Sequence, residues 1–232
     1  VALDELGEGA TLTLSKLTGI FGLEGQYGTE QSLLKVGSVV NELSQNCAAS
    51  APYLTEFASR MAGVGAQAGL SVQQIMAFGA VLDSTNQNVE ASATALSQVI
   101  VRIYQDPAKY AKIAGLDIQN FTSLVKTDIN SALMELLSAL NQVGGMDALS
   151  PMFKDMGENG ARAIATLSTL AEHIEDVKQQ QVAANTAFAE GSSVTKEFDV
   201  QNNTVQARLD KLKKSFTEMA VSLGEKLLPV MQ

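Results

Sequence analysis

The chain has 232 residues, 46% of them apolar, which is enough to bury a sizeable core and too much for a disordered polypeptide. A formal charge of −9 argues against a dedicated nucleic-acid binder, which needs a concentrated basic surface. The single cysteine, Cys47, excludes an intramolecular disulfide, and no apolar run approaches the ~20 residues that cross a bilayer.

With no Trp and only 5% aromatics, the composition favours helices whose backbones approach closely. The N-terminus lacks the basic-then-apolar order of a signal peptide, and Val1 in place of an initiator Met suggests a piece of a longer protein. Residues 1–28 are Gly-rich and receive no firm assignment, because Gly19, Gly22 and Gly25 weaken any continuous helix.

From residue 29 to 47, Leu33, Val36, Val40, Leu43 and Cys47 advance by three, four, three and four positions, which gathers them on one helix face. Cys47 then belongs to a buried stripe. With no basic neighbour to lower its pKa, it reads as a small core residue rather than a reactive thiol. A second helix starts near Pro52, tolerated at the first helical position, with Leu54, Phe57, Met61 and Ala68 on its apolar face. Gly63 and Gly65 remove bulk and predict close approach of a neighbouring backbone.

Ser71 and Gln74 have capping-box spacing, and Leu70 with Ile75 completes a hydrophobic staple. Residues 83–90 are polar but lack the central glycine and alternating acids of a calcium loop, so they read as a turn between helices. A further helix runs through Val89, Leu96, Ile100 and Ile103 and ends at Pro107. Another runs through Ile129, Leu133, Leu136, Leu140 and Val143 to a stop at Gly144-Gly145.

After a short helix over residues 151–156, Ile164, Leu167, Ala171 and Ile174 define one amphipathic segment that ends in the polar run 178–181. Val205, Leu209, Leu212, Phe216, Met219 and Leu223 then alternate steps of four and three, which suits a long helix with a coiled-coil-like seam. This predicts residues 193–228 as the longest helix, limited by Pro229, with Leu212 and Phe216 packed in the seam. Arg208, Lys211, Lys213 and Lys214 form its solvated face. No segment alternates as a strand does. The fold class is all-α, a compact multi-helix bundle with a long C-terminal coiled-coil-like helix. Its parts are the segment 1–28, a helical core 29–191 and the final helix 192–232.

The sequence offers no catalytic, cofactor-binding or metal-ligating residues. His173 is the only histidine, so a histidine cluster or triad has no partners, and it reads as a surface residue beside Glu172 and Glu175. Glu172 and Asp176 lie four apart, but their polar neighbours Lys178 and Gln179 argue for a solvated face rather than a pocket. Gly7-Glu8-Gly9, Gly157 with Gly160, and Gly224-Glu225-Lys226 follow no strand and lack phosphate-loop spacing. Asn120-Phe121-Thr122 and Asn202-Asn203-Thr204 match the three-residue glycosylation pattern, which arises often by chance. The residues alone therefore describe a helical structural or interaction protein and not an enzyme.

Several segments, read in order, resemble the core region of bacteriophage and prophage tail tape-measure proteins, over roughly residues 30–229. They are Asn46-Cys47-Ala48-Ala49-Ser50 after a helix, Ala68-Gly69-Leu70-Ser71, and Ser92-Ala93-Thr94-Ala95-Leu96. Tyr104-Gln105-Asp106-Pro107, Ala114-Gly115-Leu116, Met152-Phe153 with Gly160-Ala161-Arg162-Ala163, and Leu223-Gly224-Glu225-Lys226-Leu227-Leu228-Pro229 follow. The chain departs where Phe153-Lys154-Asp155-Met156-Gly157 expands the family's Phe-Gly pair, and in its Gly-rich N-terminus.

The resemblance implies a protein that sets tail length. Helical polypeptide would occupy the tail interior, tube subunits would polymerise around it, and release would follow at infection. It implies tail-tube proteins, tail assembly chaperones and baseplate or tail-tip proteins as partners, with self-association possible and no specific nucleic-acid binding or cofactor. It places the chain in the virion tail interior, and in the bacterial host cytoplasm during assembly. The alternative is a secreted helical effector or adhesion module, which would share the acidic charge and amphipathic helices. A muralytic enzyme would need an acid, base or metal constellation that these residues do not supply.

Overall fold

In a computed structural model, residues 2–143, 150, 151, 153, 158–200, 202–206, 208, 209, 213 and 214 are described. Glycines divide the N-terminal stretch into pieces. A 3₁₀ segment, Ala2–Gly9, is kinked at Gly7 (φ 60°, ψ −152°). Helix α1 (Ala10–Ile20) gives way to α2 (Leu23–Tyr27) through Gly22 at a left-handed φ of 65°, and α2 closes at Gly28 (φ 78°). Gly19 and Gly25 sit inside these helices, so only Gly22 of the three expected weak points breaks the run.

Helix α3 (Thr29–Asn46) buries Val36, Val40 and Leu43, as their spacing predicts. Cys47 lies one residue beyond, half-buried in extended backbone, so the helical stripe stops at Leu43. Helix α4 (Ala51–Ala68) is capped by Ser50 and carries Pro52 in its first turn. The expected close approach at its glycines belongs to one of them. A Cβ on Gly65 would lie 2.6 Å from Ile75 Cδ1, whereas one on Gly63 would meet nothing within 4 Å. The intruder is a side chain rather than the expected backbone.

Helix α5 (Val72–Ser84) starts with the capping box. Ser71 N–H donates to Gln74 Oε1 (2.9 Å) and Gln74 N–H to Ser71 Oγ (3.3 Å), beside buried Leu70 and Ile75. Apolar around almost its whole circumference, α5 is central, packed against α3 and α4. Asn86, at φ 59°, turns the chain, and Asn88 caps α6 (Val89–Gln105) by accepting from Ala91 N–H (2.9 Å).

Pro107 ends α6 as expected and also begins α7 (Pro107–Ala114), with Asp106 accepting from Lys109 N–H (3.0 Å). Asp117 caps α8 (Ile118–Thr127) in the same way. These two helices are additions to the elements read from the sequence. Helix α9 (Ile129–Val143) follows the predicted stripe, whereas the glycine stop after it and most of residues 151–156 lie outside the described residues.

The single amphipathic segment expected near residue 164 is two helices, α10 (Glu158–Glu172) and α11 (Ile174–Glu190), broken at His173. The polar run 178–181 ends nothing. It lies within α11, where Gln180 and Gln181 are buried, and Gln181 exchanges two amide hydrogen bonds with Asn130 of α9 (2.8 and 2.9 Å). Helix α11 packs on α3 and α5, while α6 joins α4 and α10. The described residues contain no strand, and the fold is all-α with a compact multi-helix arrangement.

Two units divide the chain, Val1–Ser193 and Val194–Gln232. The second is helical over residues 194–200 and 202–206, with Phe198, Val205 and Leu209 exposed. Leu212, Phe216 and Pro229 lie outside the described residues, as does most of the expected helix beyond 214.

Candidate functional site

His173 occupies the break between α10 and α11, where its Nδ1 lies 2.9 Å from Asp176 Oδ2 on a solvent-facing turn. Lys178 pairs with Glu175 nearby (2.6 Å), and Glu172 and Asp176 are both exposed. The region is a helix start whose acidic first turn suits the positive end of the macrodipole.

Cys47 donates its thiol proton to Leu43 O (3.0 Å), and burial pushes the thiol pKa up, with the Asp83 carboxylate adding to the effect. A protonated thiol is a packing group rather than a nucleophile. Asp83 and Glu5 serve the orphan donors at the start of α4. Ser50 N–H donates to Asp83 Oδ2 (2.7 Å), and Ala51 N–H to Glu5 Oε2 (3.1 Å). Burial, with Asp83 and Glu56 assisting, raises the neighbouring Tyr53 phenol to about 12. This cluster ties the N-terminal segment and the end of α5 to one helix terminus.

The remaining candidates stay apart. Gly7 and Gly9 belong to the 3₁₀ segment, and Gly160 lies in the first turn of α10 against Phe153. Gly157, Lys211 and residues 224–226 lie outside the described residues. Arg208, Lys213 and Lys214 are exposed on helix, as are Asn120 and Asn202. Among the described residues, no three His, Cys, Asp or Glu side chains gather as a metal site, and no helix is long and apolar enough to cross a membrane.

A different set, missed in the sequence, converges where α11 ends on α3. The Lys35 side chain is only 9% exposed. Its ammonium donates to Phe188 O (2.9 Å) and Ala189 O (3.1 Å), the carbonyls that α11 leaves unpaired. It also lies 4.9 Å from the Tyr27 ring centre and 5.2 Å from that of Phe188, a cation held by two aromatic faces. Three and six residues along α3, Ser38 Oγ accepts from Ser193 N–H (3.1 Å) and Asn41 Nδ2 donates to Ser193 Oγ (3.0 Å). Ser193 Oγ–H in turn donates to Glu42 Oε2 (3.2 Å). The three-residue spacing of Ser32, Lys35, Ser38 and Asn41 was the available signal, but in a sequence such a stripe looks like a solvated face.

Two open grooves flank the end of α4. One, of about 510 Å³, is lined by Ile20, Phe21, Tyr27, Leu70 and Phe188 among others, and the second, of about 340 Å³, by Val64, Ile100, Val101 and Tyr104. Neither is lined by a carboxylate, histidine, lysine, arginine or cysteine, and their linings are largely apolar. Ile20, Tyr27, Val101 and Tyr104 stand exposed at them.

No curated protein and no solved structure matches the chain. The family model described as phage-related minor tail protein matches residues 1–188. The match takes in the Gly-rich N-terminus, which the resemblance left out, and stops short of residues 189–229, which the resemblance included. An all-α core with caps, apolar stripes and contact grooves is thus matched over most of its length, and the chain belongs to the phage-related minor tail protein family.

Proposed function

We propose that this chain is the core region of a tail tape-measure protein, a non-catalytic component that helps set tail length and template assembly of the tail tube. The family match over residues 1–188 carries the reading, supported by the order of motifs from Asn46 to Pro229. In this reading residues 29–191 form the helical core and residues 192–232 a long C-terminal helix that packs on or extends from it. The apolar grooves at α4 suit contact with tail-tube, chaperone or baseplate proteins, and the exposed Phe198, Val205 and Leu209 suit self-association.

The chain would lie inside the tail in the virion and in the host cytoplasm during assembly. Protease treatment of purified tails tests this placement. Intact tails should leave the chain whole, and tails opened by mild denaturant should lose it. Cleavage throughout the chain in intact tails contradicts an interior position.

A further inference from the structure

We propose that the contact between α3 and the end of α11 is a releasable latch, in which residues 187–193 leave α3 as one cooperative unit while the rest of the core stays folded. The fastenings of this junction are polar. Lys35 holds the carbonyls of Phe188 and Ala189, while Ser38, Asn41 and Glu42 hold Ser193. Each of these groups is strongly hydrated once exposed, so opening exchanges protein hydrogen bonds for water hydrogen bonds at small net cost.

The closed form carries a cost of its own, since Asn41 Oδ1 is buried with no partner among the described residues, and opening rehydrates it. Apolar burial resists opening chiefly through Phe188, whereas Val177 and Ala184 anchor the earlier part of α11 in the core. Gly191, at φ 62°, ends the helix with its Cα beside Lys35, where a Cβ would lie 3.1 Å from Lys35 Cγ. The chain then continues from Ser193 into residues 194–232. Tension applied to that continuation reaches the polar latch before it reaches the apolar core. Low-stability opening units of this kind are drawn from regions with few apolar contacts.

Native-state amide exchange of the full chain, with denaturant varied below the unfolding transition, tests the proposal. Gly191 and Ser193 amides should exchange with one shared opening equilibrium and weak denaturant dependence, while Phe57 and Met61 amides follow global unfolding. Removing one fastening should loosen the whole latch. S38A and K35M should each speed exchange at both Gly191 and Ser193 by about 10- to 100-fold, the factor that a lost charge-assisted or buried hydrogen bond corresponds to. Phe57 and Met61 should change far less. If S38A moves Ser193 alone, the helix end merely frays and the latch is wrong. The unmodified chain decides the matter should K35M fail to fold, because a denaturant dependence at Gly191 and Ser193 equal to that of Phe57 also overturns the proposal.

Discussion

A glycine inside a helix costs about 0.5–1 kcal/mol relative to alanine, so it persists without loss only where a side chain would be worse. The described helices contain both kinds. Gly63 faces open space, whereas a Cβ on Gly160 would lie 2.5 Å from the Phe153 carbonyl oxygen, a backbone atom that cannot rotate aside. At Gly79 the obstacle is the buried Phe57 ring, 2.9 Å away. Thermal melts should therefore show Gly63→Ala stabilised by about 0.5–1 kcal/mol and Gly160→Ala destabilised by about 1–3 kcal/mol. A Gly160→Ala variant as stable as the parent would mean that Phe153 does not pack there. The sequence located Gly65 as a close approach but could not separate it from Gly63, since the difference lies in Ile75, which comes from another helix. Lys35 was hidden for a related reason. Its burial depends on the arrival of Phe188 and Ala189, more than 150 residues further along the chain.

Helices announced themselves in the sequence through a long apolar stripe or a start signal. Helices α3, α6 and α9 have both the stripe and the length to repeat it, and α5, apolar almost all round, was legible from its start, where the Ser71–Gln74 bonds are reciprocal. Helix α8 was overlooked because only Phe121 and Val125 of its ten residues are buried, too few to reveal a period. The break between α10 and α11 was invisible because Ile164, Leu167, Ala171 and Ile174 keep helical spacing straight through His173. Asp128 shows how much one cap does for an element. It accepts from the Ser131 hydroxyl and from Ser131 N–H (3.1 Å) in the first turn of α9, and these bonds lower its pKa. A lowered folded-state pKa contributes stability at neutral pH that is lost as pH falls through that value. Asp128→Ala should thus melt about 2–4 °C below the parent at about pH 7, and the gap should close at pH well below about 4. A gap that persists undiminished in acid would assign the loss to packing rather than to the carboxylate.

The Val1–Ser193 unit and a ruler are different objects. Folded compactly, 193 residues have a radius of gyration of about 16 Å, whereas drawn out as one helix they would span about 290 Å. Gly22, Gly69, Gly115 and Gly191 all hold left-handed backbone at helix ends, which supports the folded form. Under the proposed tape-measure role this unit would act as a folded module, and length would be read from extended helix elsewhere in the full polypeptide. Putting a charge in the core, as in Phe57→Asp, should block assembly rather than yield tails of altered length, because Phe57 is fully buried. The direct test of the functional account is electron microscopy of tails from in-frame deletions in the helical ruler portion of the full gene. The account predicts tails shortened by about 1.5 Å for each residue removed. Shortened genes that produced tails of unchanged length would contradict it.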